Sequence, residues 1–233
     1  MQTKPSSFPG GQRTAILTKE TLQSEINSGY SVTWRSKGRR GLLLVLTDGV
    51  FFIEPPLPEE DASSSSSQPS VSLIANMFFP RPKQLTHPQH RTLLDGILVM
   101  DREHHPTIRT PRYLAFDIFC HEGGNLMSKP LRTRAKYLLD GVINIRKHPK
   151  IKHDYSKEGV KIRFKEHFDL KKVGDLLKDG FVKNVTHEVD GVVFAPPNHL
   201  TSVGVGEKTN RILVWKNGCG VSKEEIMERC AML

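Results

Sequence analysis

The chain has 233 residues, 37% of them hydrophobic and 25% charged, which is enough for one sizeable core or two small ones. Its formal net charge of +9 points to a polyanionic partner, whether RNA, a nucleotide phosphate or an acidic membrane surface. Cys120, Cys219 and Cys230 form no CxxC pair and no metal-ligand spacing, residues 1–11 hold no apolar run of secretory-signal length and no run approaches a membrane span, which points to a reduced, intracellular protein rather than a disulfide-stapled one.

Residues 1–12 are rich in Ser, Pro and Gly and read as extended chain. Thr18 to Ile26 reads as a short helix capped by Thr18. Tyr30 to Trp34 alternates as a strand, and the apolar run Leu42 to Leu46 is a buried strand. Thr47-Asp48-Gly49 is a hairpin turn, returning as a strand over Val50 to Glu54. Residues 55–72, with acidic Glu59-Glu60-Asp61 and the serines Ser63 to Ser67, read as a disordered insertion inside the domain.

Thr92 to Met100 is a second buried strand, and Arg112 to Cys120 follows it through a hairpin. Glu103-His104-His105, which could suggest a metal, reads as a solvated turn. Leu131 to Ile145 has helical spacing, weakened at Gly141 by about 1 kcal/mol relative to alanine. Val160 to Phe164 is strand-like, and Asp169 to Leu177 is a short helix. Gly191 to Ala195 and Arg211 to Trp215 are strands. Ser222 and Glu225 form a capping box that opens a terminal helix. Strands outnumber helices and fall in hairpin order, which gives an α+β fold with antiparallel sheets.

The basic residues crowd one hairpin, at Arg35, Lys37, Arg39 and Arg40, and recur at Lys147, Lys150, Lys152 and Lys157. The hairpin carries a motif. Trp34 to Arg40 resembles the nucleophile segment Lys-x-Asp-Gly-x-Arg of mRNA capping guanylyltransferases. Further blocks follow in the same order. Phe8-Pro9-Gly10-Gly11-Gln12 is similar to Phe-Pro-Gly-Ser-Gln, and Thr92-Leu93-Leu94-Asp95-Gly96 to Thr-Leu-Leu-Asp-Gly-Glu. Pro111-Arg112-Tyr113-Leu114-Ala115-Phe116-Asp117-Ile118 is similar to Pro-Arg-Tyr-Leu-x-Tyr-Asp-Ile. His187-Glu188-Val189-Asp190-Gly191 is similar to His-Glu-x-Asp-Gly, and Leu213-Val214-Trp215-Lys216 to Leu-Lys-Trp-Lys.

The resemblance implies a single nucleotidyltransferase domain over residues 1–233, of guanylyltransferase or ATP-grasp-like build and without the family's OB-fold lid. It also implies a nuclear role in RNA 5′ capping. Its ligands would be GTP or a cap guanosine, with Mg2+ as cofactor, and its partners the RNA 5′ end and other capping or nuclear transport proteins, without a membrane. Residue by residue, it implies phosphate contacts from Arg35, Lys37, Arg40 and Lys216, stacking on guanine by Tyr113 or Phe116, and a metal ligand at Glu188.

The departures fall on the chemistry. In the family the lysine of the first motif attacks the α-phosphate of GTP. Here Arg35 stands in its place, and a guanidinium has no free lone pair with which to attack phosphorus. Lys37 replaces the motif aspartate, Ile97 replaces a glutamate, and Val214 replaces the first lysine of the last motif. Two residues beyond Arg35 on a strand, Lys37 would share its face and is the candidate for a displaced nucleophile. Asp95 and Asp190, each followed by glycine, fit tight turns.

The chain is also similar to the cap-binding domain of snurportins, which lacks nucleophile and lid; there Trp215 takes the place of a tryptophan that stacks on the cap base. The expected function is binding of a guanine nucleotide or capped RNA 5′ end without covalent GMP transfer. The alternatives are a guanylyltransferase that uses Lys37 or assists an active subunit, and an interaction module that keeps only the fold.

Overall fold

A computed structural model describes residues 14–56, 68–102, 108–196 and 212–233. The Phe8–Gln12 block, most of the serine-rich insertion and the Glu103-His104-His105 segment lie outside the described residues.

In chain order the strands are β1 (Thr14–Ile16), β2 (Ser31–Ser36), β3 (Arg39–Leu46), β4 (Gly49–Glu54), β5 (Ser70–Ile74), β6 (Pro80–Arg81), β7 (Gln84–Pro88), β8 (Thr92–Asp101), β9 (Thr110–His121), β10 (Gly124–Asn125), β11 (Lys161–Phe164), β12 (Phe168–Asp169), β13 (Val189–Ala195) and β14 (Ile212–Lys216). The helices are α1 (Lys19–Ser24), α2 (Leu131–Leu138), α3 (Val173–Leu177), α4 (Asp179–Asn184) and α5 (Lys223–Ala231). The fold is α+β.

Two sheets organise the chain. The first has the order β1-β14-β13-β2-β12, and the second runs β10-β9-β8-β3-β4-β5 with β11 added on β9. Most pairings are antiparallel, as the hairpin order predicts, but β1 joins β14 and β11 joins β9 in parallel. Each sheet has its own core. The first buries Val32, Phe194, Leu213 and Trp215 against Leu22, Leu176 and Ile226 of α1, α3 and α5. The second buries Leu43, Leu94, Tyr113 and Ile118 against Leu138 and Val142. Alternation sends the opposite side chains of β2, β13 and β14 to the other face. That face meets the second sheet across a cleft.

Local signals act as expected at both helix starts. Thr18 and Thr21 exchange capping bonds at α1, and Ser222 and Glu225 do so at α5. The helix predicted over Leu131 to Ile145 is regular only to Leu138. It widens into a π turn over Leu139–Ile143 and tightens to 3-10 over Asn144–Lys147. The cause sits at Gly141, whose carbonyl accepts a hydrogen bond from Gln89 Nε2 at 2.8 Å. A carbonyl claimed by a side chain from outside the helix disturbs the ladder locally. The insertion expected over 55–72 is shorter at its far end: Ser70 to Ser72 belong to β5, paired with Glu54 to Phe52 of β4.

Candidate functional site

A cavity of about 300 Å³ opens between the two sheets. Val193, Ala195, Ile212 and Val214 form its apolar floor from the first sheet. Ile97, Phe116 and Arg40 face them from β8, β9 and β3, while Thr33, Arg35, Lys165 and His167 supply polar groups. Apolar walls with a few convergent donors are the usual form of a small-ligand site.

Two β-bulges aim the motif residues. On β9, Ala115 pairs with Gly96 and Asp117 with Asp95, which leaves Phe116 as the extra residue, and Phe116 lines the cavity. On β13, Val189 pairs with Ser36 and Gly191 with Arg35, which leaves Asp190 extra, and Asp190 forms an ion pair with Arg35. One inserted residue re-aims a side chain in this way without ending the strand. The aspartates of both Asp-Gly pairs therefore stand in strands rather than turns. The glycines serve close approach instead. A Cβ on Gly96 would lie 2.5 Å from the Tyr113 ring, and one on Gly191 would lie 1.9 Å from the Trp215 carbonyl oxygen.

Behind the cavity stand buried charge pairs. Arg40 binds Asp95 with both Nη2 (2.7 Å) and Nε (3.3 Å), and its guanidinium lies 5.6 Å from the centre of the Phe116 ring. Burial pushes the Asp95 carboxyl up to about 6, against the pull of Arg40. Arg134, fully buried, grips Asp117 through two bonds of 2.7 Å; burial raises this carboxyl too. His187 donates from Nδ1 to Asp101 at 3.0 Å, and its Nε2 accepts from Ser36 Oγ at 2.9 Å and Trp34 Nε1 at 3.3 Å. Burial holds its imidazole below the usual range, so it stays neutral and in this tautomer. For Asp101, burial pushes up, but hydrogen bonds from Thr186, Arg112 and His187 bring the carboxyl below its usual range. This network fastens the end of β2 to the start of β13.

The residues singled out in the sequence divide. Arg35, Arg40 and Phe116 line the cavity. Lys216 follows Val214 by two on β14, so alternation puts it on the same sheet face, exposed and outside the cavity lining. Lys37 does not share the cavity with Arg35: β2 ends at Ser36, and Lys37 turns outward, with its Nζ 3.6 Å from Glu188. Tyr113 and Trp215 are corrected. Tyr113 is fully buried in the second core, its hydroxyl 2.9 Å from the Gly41 carbonyl oxygen and 3.2 Å from that of Leu94, so it cannot stack on a base. Trp215 points into the first core, 4% exposed, with Nε1 donating to the Val221 carbonyl at 2.8 Å. Its indole is fixed on the face of β14 opposite the cavity, so the stacking role given by the snurportin likeness does not hold.

One residue was missed. Lys165, directly after β11, is 2% exposed and lines the cavity. Its ammonium donates to Thr33 Oγ1 at 3.2 Å and to the Trp34 carbonyl, and lies 4.8 Å from the centre of the Trp34 ring. Among the described residues it is in no ion pair, and burial alone brings it down to about 7. A buried lysine without a counter-charge is costly, and such groups cluster at functional sites. No periodicity marks it, because it lies in the charged run Lys161 to Glu166.

The implied Mg2+ does not fit these residues. Hard cations need several oxygens. Among the described residues of the cavity walls only Asp117 brings a carboxylate, and Arg134 holds both its oxygens. Ile97 is apolar where the resemblance has glutamate. Glu188 is exposed and paired with Lys37. Asp190 keeps one buried oxygen, Oδ1, without a hydrogen bond, but its other oxygen carries Arg35. A dication about 4 Å from a guanidinium meets repulsion of several kcal/mol near a protein surface. Among the described residues no cluster of three His, Cys, Asp or Glu could hold a metal ion.

A family model described as "mRNA capping enzyme, catalytic domain" matches residues 1–218. An mRNA-capping enzyme of Danio rerio is 31% identical over 194 residues, which cover 82% of this chain and 30% of that protein. The mRNA-capping enzyme of Mus musculus is 30% identical over the same shares. The mRNA-capping enzyme subunit alpha of Candida glabrata is 27% identical over 227 residues, or 91% of this chain and 47% of the subunit. The chain thus spans less than half the length of these curated relatives. A solved structure of a mycobacterial DNA ligase D with ATP overlays on 88% of this chain and 60% of that one, with a TM-score of 0.48 and 14% identity.

Proposed function

The chain belongs to the family of mRNA capping enzyme catalytic domains, and from that premise we propose that it binds a guanine nucleotide, free or at a capped RNA 5′ end, without forming a lysine–GMP bond. One observation carries the reading: at the position of the family's nucleophile, Arg35 stands in the cavity wall with its guanidinium on Asp190. It can attract phosphate but cannot attack it. The base enters between Phe116 and Ile97 on one side and the apolar floor on the other. Lys165 and Thr33 meet its acceptor edge, with Arg35 and Arg40 toward the phosphates. A nuclear setting and an RNA partner follow from the same premise.

The site favours a neutral guanine over a methylated, cationic one. Arg40 already lies against Phe116, and Lys165 adds a second positive charge. Without Trp215 there is no indole to offset a cationic base.

A second reading, guanylyl transfer, has one observation in its favour. Lys165 is an amine in the cavity wall that titrates near neutrality, as an attacking lysine must. Incubation with GTP labelled at the α-phosphate, then denaturing electrophoresis and peptide mapping, decides between the two. The expected result is saturable GTP binding and no label on the denatured chain. Label on the peptide bearing Lys165, lost in Lys165→Arg, would replace the first reading with the second.

A further inference from the structure

We infer that this site takes its guanine nucleotide without a divalent cation, because Arg35 and Lys37 are themselves the counter-charges on Asp190 and Glu188. The inference rests on the guanine reading above and extends it. The substitutions in the first motif put one cation on β2 and one just past its end, and both reach the segment that opens β13. Arg35 meets the bulged Asp190, and Lys37 meets Glu188 at 3.6 Å while its backbone N–H donates to the Glu188 carbonyl at 2.9 Å. The two pairs form a ladder across the β2–β13 edge. An arginine at one rung and a lysine at the other supply positive charge that a bound metal would otherwise bring.

The rest of the cavity follows the same pattern. Its carboxylate, Asp117, is closed by Arg134. The place for a further acidic ligand is Ile97, in the apolar wall. The groups left to meet a triphosphate are cationic: Arg35, Arg40 and, on the same sheet face outside the lining, Lys216. Such a site recognises the full charge of the nucleotide. Magnesium bound to GTP cancels two of those charges, so it should weaken binding here rather than support it.

The test measures GTP affinity by titration calorimetry in EDTA and in excess Mg2+, alongside a Mn2+ titration of the free protein followed by electron paramagnetic resonance. The expected result is equal or tighter GTP binding in EDTA, with the free Mn2+ signal undiminished by equimolar protein. A tenfold loss of affinity in EDTA, or stoichiometric Mn2+ capture that Glu188→Gln removes, would overturn the inference. The double variant Arg35→Gln, Lys37→Ala frees both carboxylates. It should gain Mn2+ binding, and failure to do so would show that the ladder is not the cause. If GTP binds in neither buffer, the guanine reading fails, and the Mn2+ titration still decides the question of the metal.

Discussion

Two sets of charge pairs border the same cavity, and they differ in depth. Behind it, Asp117 and Arg134 are almost wholly buried and doubly bonded, and Asp95 sits fully desolvated under Arg40. At its mouth, Arg35–Asp190 is partly exposed, and beside it, outside the cavity, Lys37–Glu188 is open to solvent on both sides. Arg40, Asp95 and Asp117 of the deep pairs stand at motif positions that match the family, and the outer pairs include the positions that depart from it. Change is tolerated where water can screen an altered charge. It is resisted where removing one partner strands the other in low dielectric.

Arg134→Ala tests the deep set most severely. It leaves Asp117 buried and unpaired, and chemical denaturation should show a loss of about 3–5 kcal/mol. A loss under 1 kcal/mol would mean that the buried pair holds little of the fold. Lys165→Met probes the buried cation without a partner, and two effects of opposite sign are expected. Stability rises by roughly 1 kcal/mol as the uncompensated charge is removed, while GTP binding weakens about tenfold with the loss of a charged donor.

The pH dependence of Lys165 follows from its value of about 7 against an ordinary 10.5. Between these values the native chain holds fewer protons than the unfolded one, so this group's contribution to stability rises with pH across that window. GTP affinity moves the other way and falls as pH climbs through about 7, and a profile flat from pH 6 to 9 would contradict the assignment. The smallest effect belongs beside the mouth: Lys37→Ala should change stability by about 0.5 kcal/mol or less, measured in low salt.

The chain's own letters gave away the strands better than the directions of their side chains. The apolar run Leu42 to Leu46 and the Ser222–Glu225 box sit where local physics puts them. Arg35, Arg40 and Phe116 line the cavity. Trp215 and Tyr113 were misread because a motif fixes an order of residues and not the sheet face each one occupies. Leu213 and Trp215 face a core, while Ile212 and Val214 face the cavity. The bulges at Phe116 and Asp190 are also silent in sequence, since each depends on a register set by a strand far away. Lys165 was hidden by its charged neighbours: its burial comes from β2, more than a hundred residues earlier.

The order β1-β14-β13 has a consequence for how the molecule is made on the ribosome. Among the described strands β1 pairs with β14 alone, and β14 is read out some two hundred residues later. Until residues 212–216 emerge, β13 has β2 on one side and an open edge on the other, and β1 lacks the strand it pairs with. The floor of the cavity is therefore a late product of translation, closed by a pairing between strands near the two ends of the described chain. A nascent polypeptide halted before β14 should carry the second sheet and its buried pairs, yet have no place to receive a ligand.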